Sequence, residues 1–454
     1  MALPITILKK LLGVKDTVVT GKYQNYQDRN GVEHVCFDVR PAKGHTHRCP
    51  HCGRICEKYD NGTKGKIWRA RDLGGIITEL KSDTIRVRCP EHGIVTAEVP
   101  WAYPNCSFTK EFDLTVAWLA KYMPISSVAK YMYIDWETVT SCIARASEDL
   151  EKDRSQRLDG LVNIGIDETS YKKGHKYITI IVNHDTNSVV WVAQGNGKNV
   201  LSAFFEALTP EQRASIRVVT GDGARWITEC VNEYLGNAER CVDPFHVVEW
   251  ATEALKEVRI EVAKEVMQDQ KEIEKVLKDS KTLSARKTEK LQKEAESKKE
   301  LAQTVKGANY ALSKAPENLT MNQKLRLENI AVYSKKLYRA YTLKEALRGI
   351  FKLTDPDEAE IALKQWYFRA THSRIEIMKK LAYKINRHKE HILNAIRYGM
   401  SNARIEATNN KIKVIIRKAY GFRNIQNLFA MIYLYCSDID IPLPNRPSRK
   451  AGSS

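Results

Sequence analysis

The spacing of apolar residues along the chain changes several times, and each change predicts a different kind of structure. In residues 1–100, short apolar runs alternate with Gly, Asp and Asn turns, which is typical of short strands. Strands are predicted at 17–23, 34–39, 76–80 and 84–88. The first hundred residues are therefore expected to form a small β-rich module.

A helical period begins near Phe108. The first helix ends before Pro124, a second is predicted over 125–131, and a third over 135–150 with Asp135 as its N-cap. This arrangement fits a helix-turn-helix. A plain helical linker that packs on the following domain is the alternative interpretation.

In a helix-turn-helix, the helix predicted over 136–146 lies in the major groove of DNA and reads base edges from its first turns. The residues expected to face bases are Glu137, Thr138, Thr140 and Ser141. Arg145 suits a phosphate contact better than base reading, because its charge recognises the backbone whatever the sequence.

Strands return from Leu161 onward. The predicted order is strands at 161–166, 177–182 and 188–193, a helix at 200–208, a strand at 216–220, a helix at 224–234 and a strand at 240–242. Three strands followed by helix, strand, helix and strand is the order of a ribonuclease-H-like α/β core.

Residues 255–310 are dense in Lys and Glu, with apolar residues three or four positions apart, as in an amphipathic helix or helical hairpin. We interpret this segment as a solvated helical insertion. Helical periodicity continues to about residue 396, and a last helix is predicted over 404–417. The segment after Asp440 is rich in Pro, Arg and Lys and is expected to be disordered.

The chain is thus predicted to be a multi-domain α+β protein. The expected units are a zinc-ribbon domain (1–105), a helix-turn-helix (106–155), a ribonuclease-H-like core in two parts (156–254 and 396–440), a helical insertion (255–395) and a disordered basic tail (441–454).

Lys and Arg outnumber Asp and Glu by 73 to 55, a net charge of +18. Such a surplus favours a polyanionic partner through counterion release, although a merely soluble basic protein is the alternative. The sequence has neither the roughly 20-residue apolar stretch of a membrane span nor a signal-peptide pattern at its start. The expected location is the cytoplasm, where in a bacterium the protein would have direct access to the nucleoid.

Two short segments, Cys49-Pro-His-Cys52-Gly53 and Cys89-Pro-Glu-His92-Gly93, share one template. Each offers two metal ligands on a tight turn, where the glycine is expected to supply a positive φ. Three thiolates and one imidazole suit a closed, structural zinc site. Unrelated surface turns are the alternative, and Cys56, His47 or His51 could replace one of the ligands.

Three carboxylates lie at strand ends or at the start of a helix, where the predicted core could bring them together. Asp167 is predicted to end one strand, Asp222 to end another, and Glu406 to head the last helix. Glu168 and Asp185 compete with Asp167 for its role, and Asp243 competes with Asp222. Any single Asp at a strand end could equally be a turn or cap residue.

Three converging carboxylates suit phosphodiester chemistry. Two Mg²⁺ ions about 3.5–4 Å apart can activate a nucleophile and stabilise a leaving oxygen, and Mg²⁺ prefers oxygen ligands. We expect Asp167 to bridge the two ions, with Asp222 and Glu406 each holding one. Mn²⁺ could substitute for Mg²⁺.

Three groups of motifs resemble the DDE transposases of bacterial insertion sequences, specifically the ISL-three family. They are the paired Cys turns with Arg69-Ala-Arg71-Asp72-Leu73 between them; Gly165-Ile-Asp-Glu-Thr169 with Gly221-Asp-Gly223 and Asp243-Pro-Phe-His-Val-Val248; and Ser401-Asn402, Glu406, Asn409-Asn410-Lys411-Ile-Lys413 and Lys418-Ala-Tyr-Gly-Phe-Arg-Asn424. In this order, the motifs cover residues 1–436. The sequence departs from the family pattern at His92, where many zinc ribbons have Cys.

The resemblance implies a transposase that binds the terminal inverted repeats of an insertion sequence, cleaves DNA with Mg²⁺ and transfers the strand into target DNA. By analogy it also implies a homodimer. Asp243 and His246 resemble an Asp-x-x-His motif and are given an auxiliary role, not metal ligation.

The basic residues on or just after the Glu406 helix, Lys411, Lys413, Arg417 and Lys418, could hold DNA phosphates, or could form a solvated face. Two other functions remain open at this level. One is a non-catalytic DNA-binding regulator on the same scaffold, and the other is a structure-selective nuclease that does not join strands.

Overall fold

The computed structural model describes residues 5–151, 157–279, 284–400 and 403–444, and the side chains of 403 and 404 are not among what it describes. The predictions that concern Ser401, Asn402 and residues 445–454 of the basic tail lie outside these ranges. Within the described ranges, no helix is both long and apolar enough to cross a bilayer.

The N-terminal region contains two small sheets. Its elements are α1 (Ile5–Leu12), β1 (Thr17–Gln27), β2 (Glu33–Pro41), β3 (Glu57–Asn61), β4 (Lys66–Arg69), β5 (Ile77–Ser82), β6 (Ile85–Cys89) and β7 (Gly93–Thr96). One sheet has the order β1-β2-β5-β4 and the other β3-β6-β7. The four predicted strands are confirmed. Sequence reasoning missed β3, β4 and β7, which are only four or five residues long; β3 and β7 are largely solvent-facing, whereas β4 buries Trp68.

Three helices follow: α2 (Lys110–Tyr122), α3 (Ile125–Met132) and α4 (Trp136–Leu150). Asp135 caps α4 as predicted, because its side chain accepts a hydrogen bond of 2.7 Å from the Thr138 backbone N–H. Pro124 separates α2 from α3, and Tyr133 ends α3 in the left-handed conformation, with φ of +54°. Both breaks are local, and they divide this region into three separate helices.

The next unit is a five-stranded mixed sheet. It comprises β8 (Asn163–Lys172), β9 (Lys176–Asn183), β10 (Ser188–Gln194), α5 (Lys198–Glu206), α6 (Pro210–Ser215), β11 (Val218–Gly221), α7 (Arg225–Tyr234) and β12 (Glu239–Val242). The strand order is β10-β9-β8-β11-β12. The first three strands are antiparallel, and β11 runs parallel to both β8 and β12. The predicted ribonuclease-H-like order is confirmed, with α6 as an addition.

A helical segment follows β12. Its helices are α8 (Pro244–Asp279), α9 (Ala285–Gly307), α10 (Asn309–Ser313), α11 (Met321–Tyr333), α12 (Lys335–Ile350), α13 (Pro356–Thr371), α14 (Glu376–Arg387) and α15 (Lys389–Arg397). The predicted apolar stripe is buried at Leu255, Val258, Val262 and Val266. The boundary that we placed at 254/255 falls inside α8, which is one continuous helix from the end of β12.

Two helices close the described chain, α16 (Ala403–Lys418) and α17 (Ile425–Cys436). Our prediction that the helix over 404–417 is the last one was wrong, because α17 follows it. Tyr433 of α17 accepts a hydrogen bond from the Val192 backbone of β10, and Tyr435 donates one to the Ala117 carbonyl of α2. The helix therefore joins α2–α4 to the mixed sheet in one hydrophobic core.

Candidate active site and cysteine-histidine cluster

Asp167 lies within β8 and does not end it, which corrects our prediction. On one side, β9 pairs with β8 as far as Lys172. On the other side, β11 pairs with β8 only as far as Thr220 opposite Gly165. Asp167 thus extends past the end of the parallel ladder, where its side chain is free of a neighbouring strand on that side.

Asp222 follows directly after β11, so the parallel register brings it alongside Asp167. Its carboxylate accepts a hydrogen bond of 2.9 Å from the Ala224 backbone N–H, which fixes its direction. The flanking glycines are required by packing. A Cβ on Gly223 would lie 2.3 Å from the Trp250 ring, and one on Gly221 would lie 3.2 Å from the Ile166 carbonyl oxygen.

The surroundings of Asp167 favour a bound cation. Burial raises the pKa of this carboxyl, and the nearby charge of Asp222 raises it further. Hydrogen bonds from the Glu168 backbone and the Asn409 side chain, together with His246, lower the pKa. A divalent ion would relieve the repulsion between the two half-buried carboxylates.

The helix α16 brings Glu406 to the same end of the sheet. Ile405 lies against Gly165 so closely that a Cβ there would be 2.1 Å from its Cδ1. One turn beyond Glu406, the Asn409 Nδ2 donates a hydrogen bond of 2.6 Å to Asp167 Oδ2. Residues three apart share a helix face, so Glu406 is on the face that meets Asp167.

The oxygens of Asp167, Asp222 and Glu406 do not all lie within 4.8 Å of one another, a spacing that only the cysteine-histidine cluster meets among the described residues. Glu406 is exposed. Ligands on two separate ions can lie up to about 8 Å apart, given ions about 4 Å apart and metal–oxygen distances of about 2.1 Å. Carboxylates that are not all within 4.8 Å of one another can therefore still share two Mg²⁺ ions.

Asn409 is a site residue that sequence reasoning did not assign. Its Oδ1 is buried and has no hydrogen-bond partner in the part of the chain that the structure describes, while its Nδ2 donates to Asp167. The signal was its spacing of three from Glu406 on one helix.

The carboxylates that we considered as alternatives to Asp167 and Asp222 differ from them in position or in hydrogen-bond partner. Asp185 accepts a hydrogen bond from Asn163 at the start of β8, so it lies at the opposite end of the sheet from Asp167. Glu168 accepts from the Gly197 backbone, and burial raises its pKa. Asp243 accepts from the Phe245 backbone at the start of α8, which is a capping contact.

His246 lies close enough to Asp167 to lower the pKa of that carboxyl. Its Nδ1 is 3.2 Å from a Glu249 carboxylate oxygen. The geometry places Asp243 and His246 beside the site, in keeping with an auxiliary role.

The predicted metal-ligating residues of the N-terminal region converge. Cys49, Cys52, Cys89 and His92 have ligand atoms within 4.8 Å of one another. The Cys52–Cys89 sulfur separation is 3.7 Å, and His92 Nδ1 lies 3.5 Å from the sulfur of Cys89 and 3.8 Å from that of Cys49. The edges of a tetrahedron around zinc are about 3.7 Å for ligands at about 2.3 Å.

The turn geometry of this cluster agrees with the sequence template. Gly53 and Gly93 adopt φ of +67° and +69° as predicted. The hydrogen bond with His92 lowers the pKa of the Cys89 thiol to about 6. Of the alternative ligands, His51 stacks on the His92 ring, and the Cys56 sulfur donates to the Arg54 carbonyl.

Two residues proposed to contact DNA from α4 are engaged inside the protein. Thr140 is buried and donates to the Glu137 carbonyl, so it cannot face a base. Arg145 forms two hydrogen bonds, of 2.7 and 2.9 Å, with the fully buried Asp113. These predictions are corrected, because Arg145 joins α4 to α2 and the Thr140 side chain is bonded within α4.

The other residues predicted to contact DNA are also partly exposed and partly bonded inside the protein. Ser141 is exposed, whereas the Thr138 hydroxyl donates to Asp135. Lys411, Lys413 and Arg417 are exposed on α16. Lys418 instead donates to the carbonyls of Lys121 and Tyr122 at the C-terminal end of α2, which corrects its assignment to DNA.

Comparison with known proteins agrees with this architecture. A family profile described as "Transposase", of the DDE type and the ISL3 group, matches residues 164–432. A second, described as "Helix-turn-helix domain of transposase family ISL3", matches residues 97–146, which include α2, α3 and most of α4.

Two curated relatives are similar over most of their length. The "Transposase for insertion sequence element IS1557" of Mycobacterium tuberculosis is 39% identical over 97% of this chain and 98% of the relative. The "Transposase for insertion sequence element IS1001" of Bordetella parapertussis is 25% identical over 85% of this chain and 87% of the relative. The chain therefore belongs to the ISL3 family of DDE transposases.

Proposed function

We propose that this transposase binds the terminal inverted repeats of its insertion sequence and uses Asp167, Asp222 and Glu406 to cleave and transfer DNA strands with Mg²⁺. One observation carries the proposal. The parallel register of β8 and β11 sets Asp222 beside Asp167, and α16 bonds to Asp167 one turn from Glu406. These contacts support a site formed by carboxylates from three separate elements.

In this proposal, Asp167 would be shared by two divalent ions, and Asp222 and Glu406 would each hold one of them. Bound Mg²⁺ or Mn²⁺ would activate the attacking oxygen and stabilise the leaving oxygen. The protein contributes the positions of the ligands. Asn409 orients Asp167, and the backbone of Ala224 orients Asp222.

The cysteine-histidine cluster is proposed to hold a structural zinc ion. All four of its ligand sites are protein side chains, so no open coordination position remains for a substrate. The site joins the turn at Cys49 to the β6–β7 turn. We infer that it stabilises the N-terminal region, which takes part in end recognition.

DNA contacts are proposed on two surfaces. One is the exposed start of α4, including Ser141, and the other is the exposed basic face of α16 formed by Lys411, Lys413 and Arg417. Each phosphate neutralised should add about 0.9 to the slope of log affinity against log salt. We infer a homodimer acting on two DNA ends in the bacterial cytoplasm, in contact with the nucleoid.

The test is strand nicking on a labelled duplex that carries the terminal repeat of the element. Glu406→Gln should lose nicking in Mg²⁺ while binding the duplex as the wild type does. Asp185→Asn is the matched control, because Asp185 is an acid of the same sheet at its opposite end. Nicking by Glu406→Gln at the wild-type rate would remove Glu406 from the site.

The same assay separates the proposal from other functions of this scaffold. A wild-type protein that binds the repeat but never nicks it would be a regulator. One that nicks without preference for the repeat and joins no strands would be a nuclease.

A further inference from the structure

A cleft of about 770 Å³ is lined by the ends of β8 and α16, the two elements that carry Asp167 and Glu406 in the candidate active site. Tyr171, Lys172 and Lys173 line it at the end of β8, the strand that carries Asp167. Ile416 and residues 419–423 line it at the end of α16, the helix that carries Glu406, and just beyond. Trp136, the first residue of α4, closes it on the third side. We call this site the aromatic cleft.

The aromatic cleft lies within reach of a DNA strand held at the carboxylates. Five residues of strand separate Asp167 from Lys172, about 17 Å at about 3.3 Å each. Fourteen positions along α16 and its end separate Glu406 from Tyr420, about 21 Å at about 1.5 Å each. The cleft therefore lies between the helix-turn-helix and the catalytic end of the sheet.

Its lining is basic and aromatic. Lys172, Lys173 and Arg423 are exposed, and no carboxylate is among the lining residues. None of these three cations forms an ion pair with another residue in the described ranges. The Arg423 guanidinium lies 5.7 Å from the centre of the Trp136 ring. Such a combination suits a phosphate chain with bases that stack on aromatic rings.

Tyr420 is the most informative residue of the aromatic cleft. It terminates α16 in the left-handed conformation, with φ of +52°, while the Gly421 N–H donates to the Ile416 carbonyl. Glycine or asparagine usually occupies this position, because a bulky residue is strained there. The Tyr420 side chain is nevertheless 87% exposed, so packing inside the protein does not compensate for the strain.

We propose that the aromatic cleft binds unpaired nucleotides of the DNA substrate, with a base stacked on Tyr420 and phosphates on Lys172, Lys173 and Arg423. Its volume matches sites that hold a single small ligand, which is enough room for one or two unpaired bases. The inference rests on the proposed DNA-processing function. It adds that a transposon end is partly single-stranded while it lies between α4 and the carboxylates.

The experiment measures the affinity of the full-length protein in EDTA for a fluorescein-labelled oligothymidylate of about 15 nucleotides. Tyr420→Gly should weaken this binding about tenfold, whereas Tyr420→Phe should retain it. The glycine variant relieves the left-handed strain, so its melting temperature should equal or exceed that of the wild type. Loss of binding with this stability separates a ligand role from misfolding.

A duplex of the same length is the second probe, and Tyr310→Ala is the matched control. Tyr310 is 71% exposed on α10, in the helical segment away from the aromatic cleft. The control should change oligothymidylate affinity less than about twofold, and Tyr420→Gly should change duplex affinity less than about twofold.

Two outcomes would overturn the inference. If Tyr420→Gly and Tyr310→Ala bind oligothymidylate equally well, the Tyr420 ring stacks on no base. If Tyr420→Gly weakens the duplex as much as the single strand, the cleft holds a double-stranded backbone. Neither result depends on strand cleavage, so failure here is distinguishable from failure of the proposed catalytic function.

Discussion

Replacing Asp167 by Asn tests the candidate active site without deleting its volume. Asp167 Oδ2 accepts a hydrogen bond from Asn409 Nδ2, and its Oδ1 accepts one from the Glu168 backbone. Asparagine keeps one acceptor and adds an NH₂ group. Once the Asn409 amide turns over, that group can face the Asn409 Oδ1, which has no hydrogen-bond partner among the described residues of the wild type. The substitution thus removes the charge while preserving a satisfied pair.

The cost of this change without metal should be small. The variant loses one charge-assisted hydrogen bond, worth about 1.5–3 kcal/mol. The variant also gains stability, because it no longer has a charge at a position where burial and the charge of Asp222 oppose ionisation. We expect the free energy of unfolding in EDTA to change by less than about 1 kcal/mol.

Mg²⁺ should distinguish the two proteins. At a Mg²⁺ concentration of about ten times its dissociation constant, a single site stabilises the folded wild type by about 1.4 kcal/mol. The Asp167→Asn variant should gain much less, because the bridging ligand is lost. It should also lack strand cleavage while binding the inverted repeat nearly as well as the wild type.

The assay is urea unfolding followed by tryptophan fluorescence, with EDTA or with Mg²⁺. Trp250 packs against Gly223 beside Asp222 and reports on this end of the sheet. Asp185→Asn is the control and should retain the full stabilisation by Mg²⁺. The reasoning is refuted if Asp167→Asn is stabilised by Mg²⁺ as much as the wild type, or if it still cleaves DNA.

Three further predictions concern other parts of the chain. Metal analysis should find one equivalent of zinc in the wild type and in Cys36→Ser, whereas Cys49→Ser should lose the metal and should show unfolding of the N-terminal sheets by circular dichroism. Arg145→Met should lower the free energy of unfolding by about 3–5 kcal/mol, because it leaves the buried Asp113 unpaired; a change below about 1 kcal/mol in urea titration would contradict that role. Burial, with the charges of Arg240 and His388, lowers the pKa of His391 from 6.5 to about 4, so the unfolded chain binds the proton first as pH falls. Between pH 7 and 5 the free energy of unfolding should fall by about 1 kcal/mol through this residue, after halving for its partial exposure. In His391→Leu, the decrease in the free energy of unfolding over the same pH range should be smaller by about 1 kcal/mol.

The local features of this protein were predictable from sequence. The Cys-Pro-x-x-Gly turns fix both the ligand spacing and the positive φ of Gly53 and Gly93 within five residues each. The strand and helix order of the core follows from apolar periods of two and about 3.6. The N-cap at Asp135 likewise depends only on its neighbours.

Contacts between distant parts of the chain were decided by packing. Arg145 looked like a free cation because its partner, Asp113, lies 32 positions earlier in another helix. Lys418 caps α2 from 297 positions away. Sequence spacing does not encode such pairs, because they depend on which helix faces meet once the core has formed.

The candidate site depends both on local sequence patterns and on contacts between distant parts of the chain. The sequence by itself singled out Asp167, Asp222 and Glu406 through the motifs around them and predicted the elements that carry them. Only the tertiary structure showed that Asp167 extends past the end of β11 and that Asn409, 242 positions away, holds it. The physical reason is that strand register and the approach of α16 over Gly165 are set by burial of side chains from the whole core.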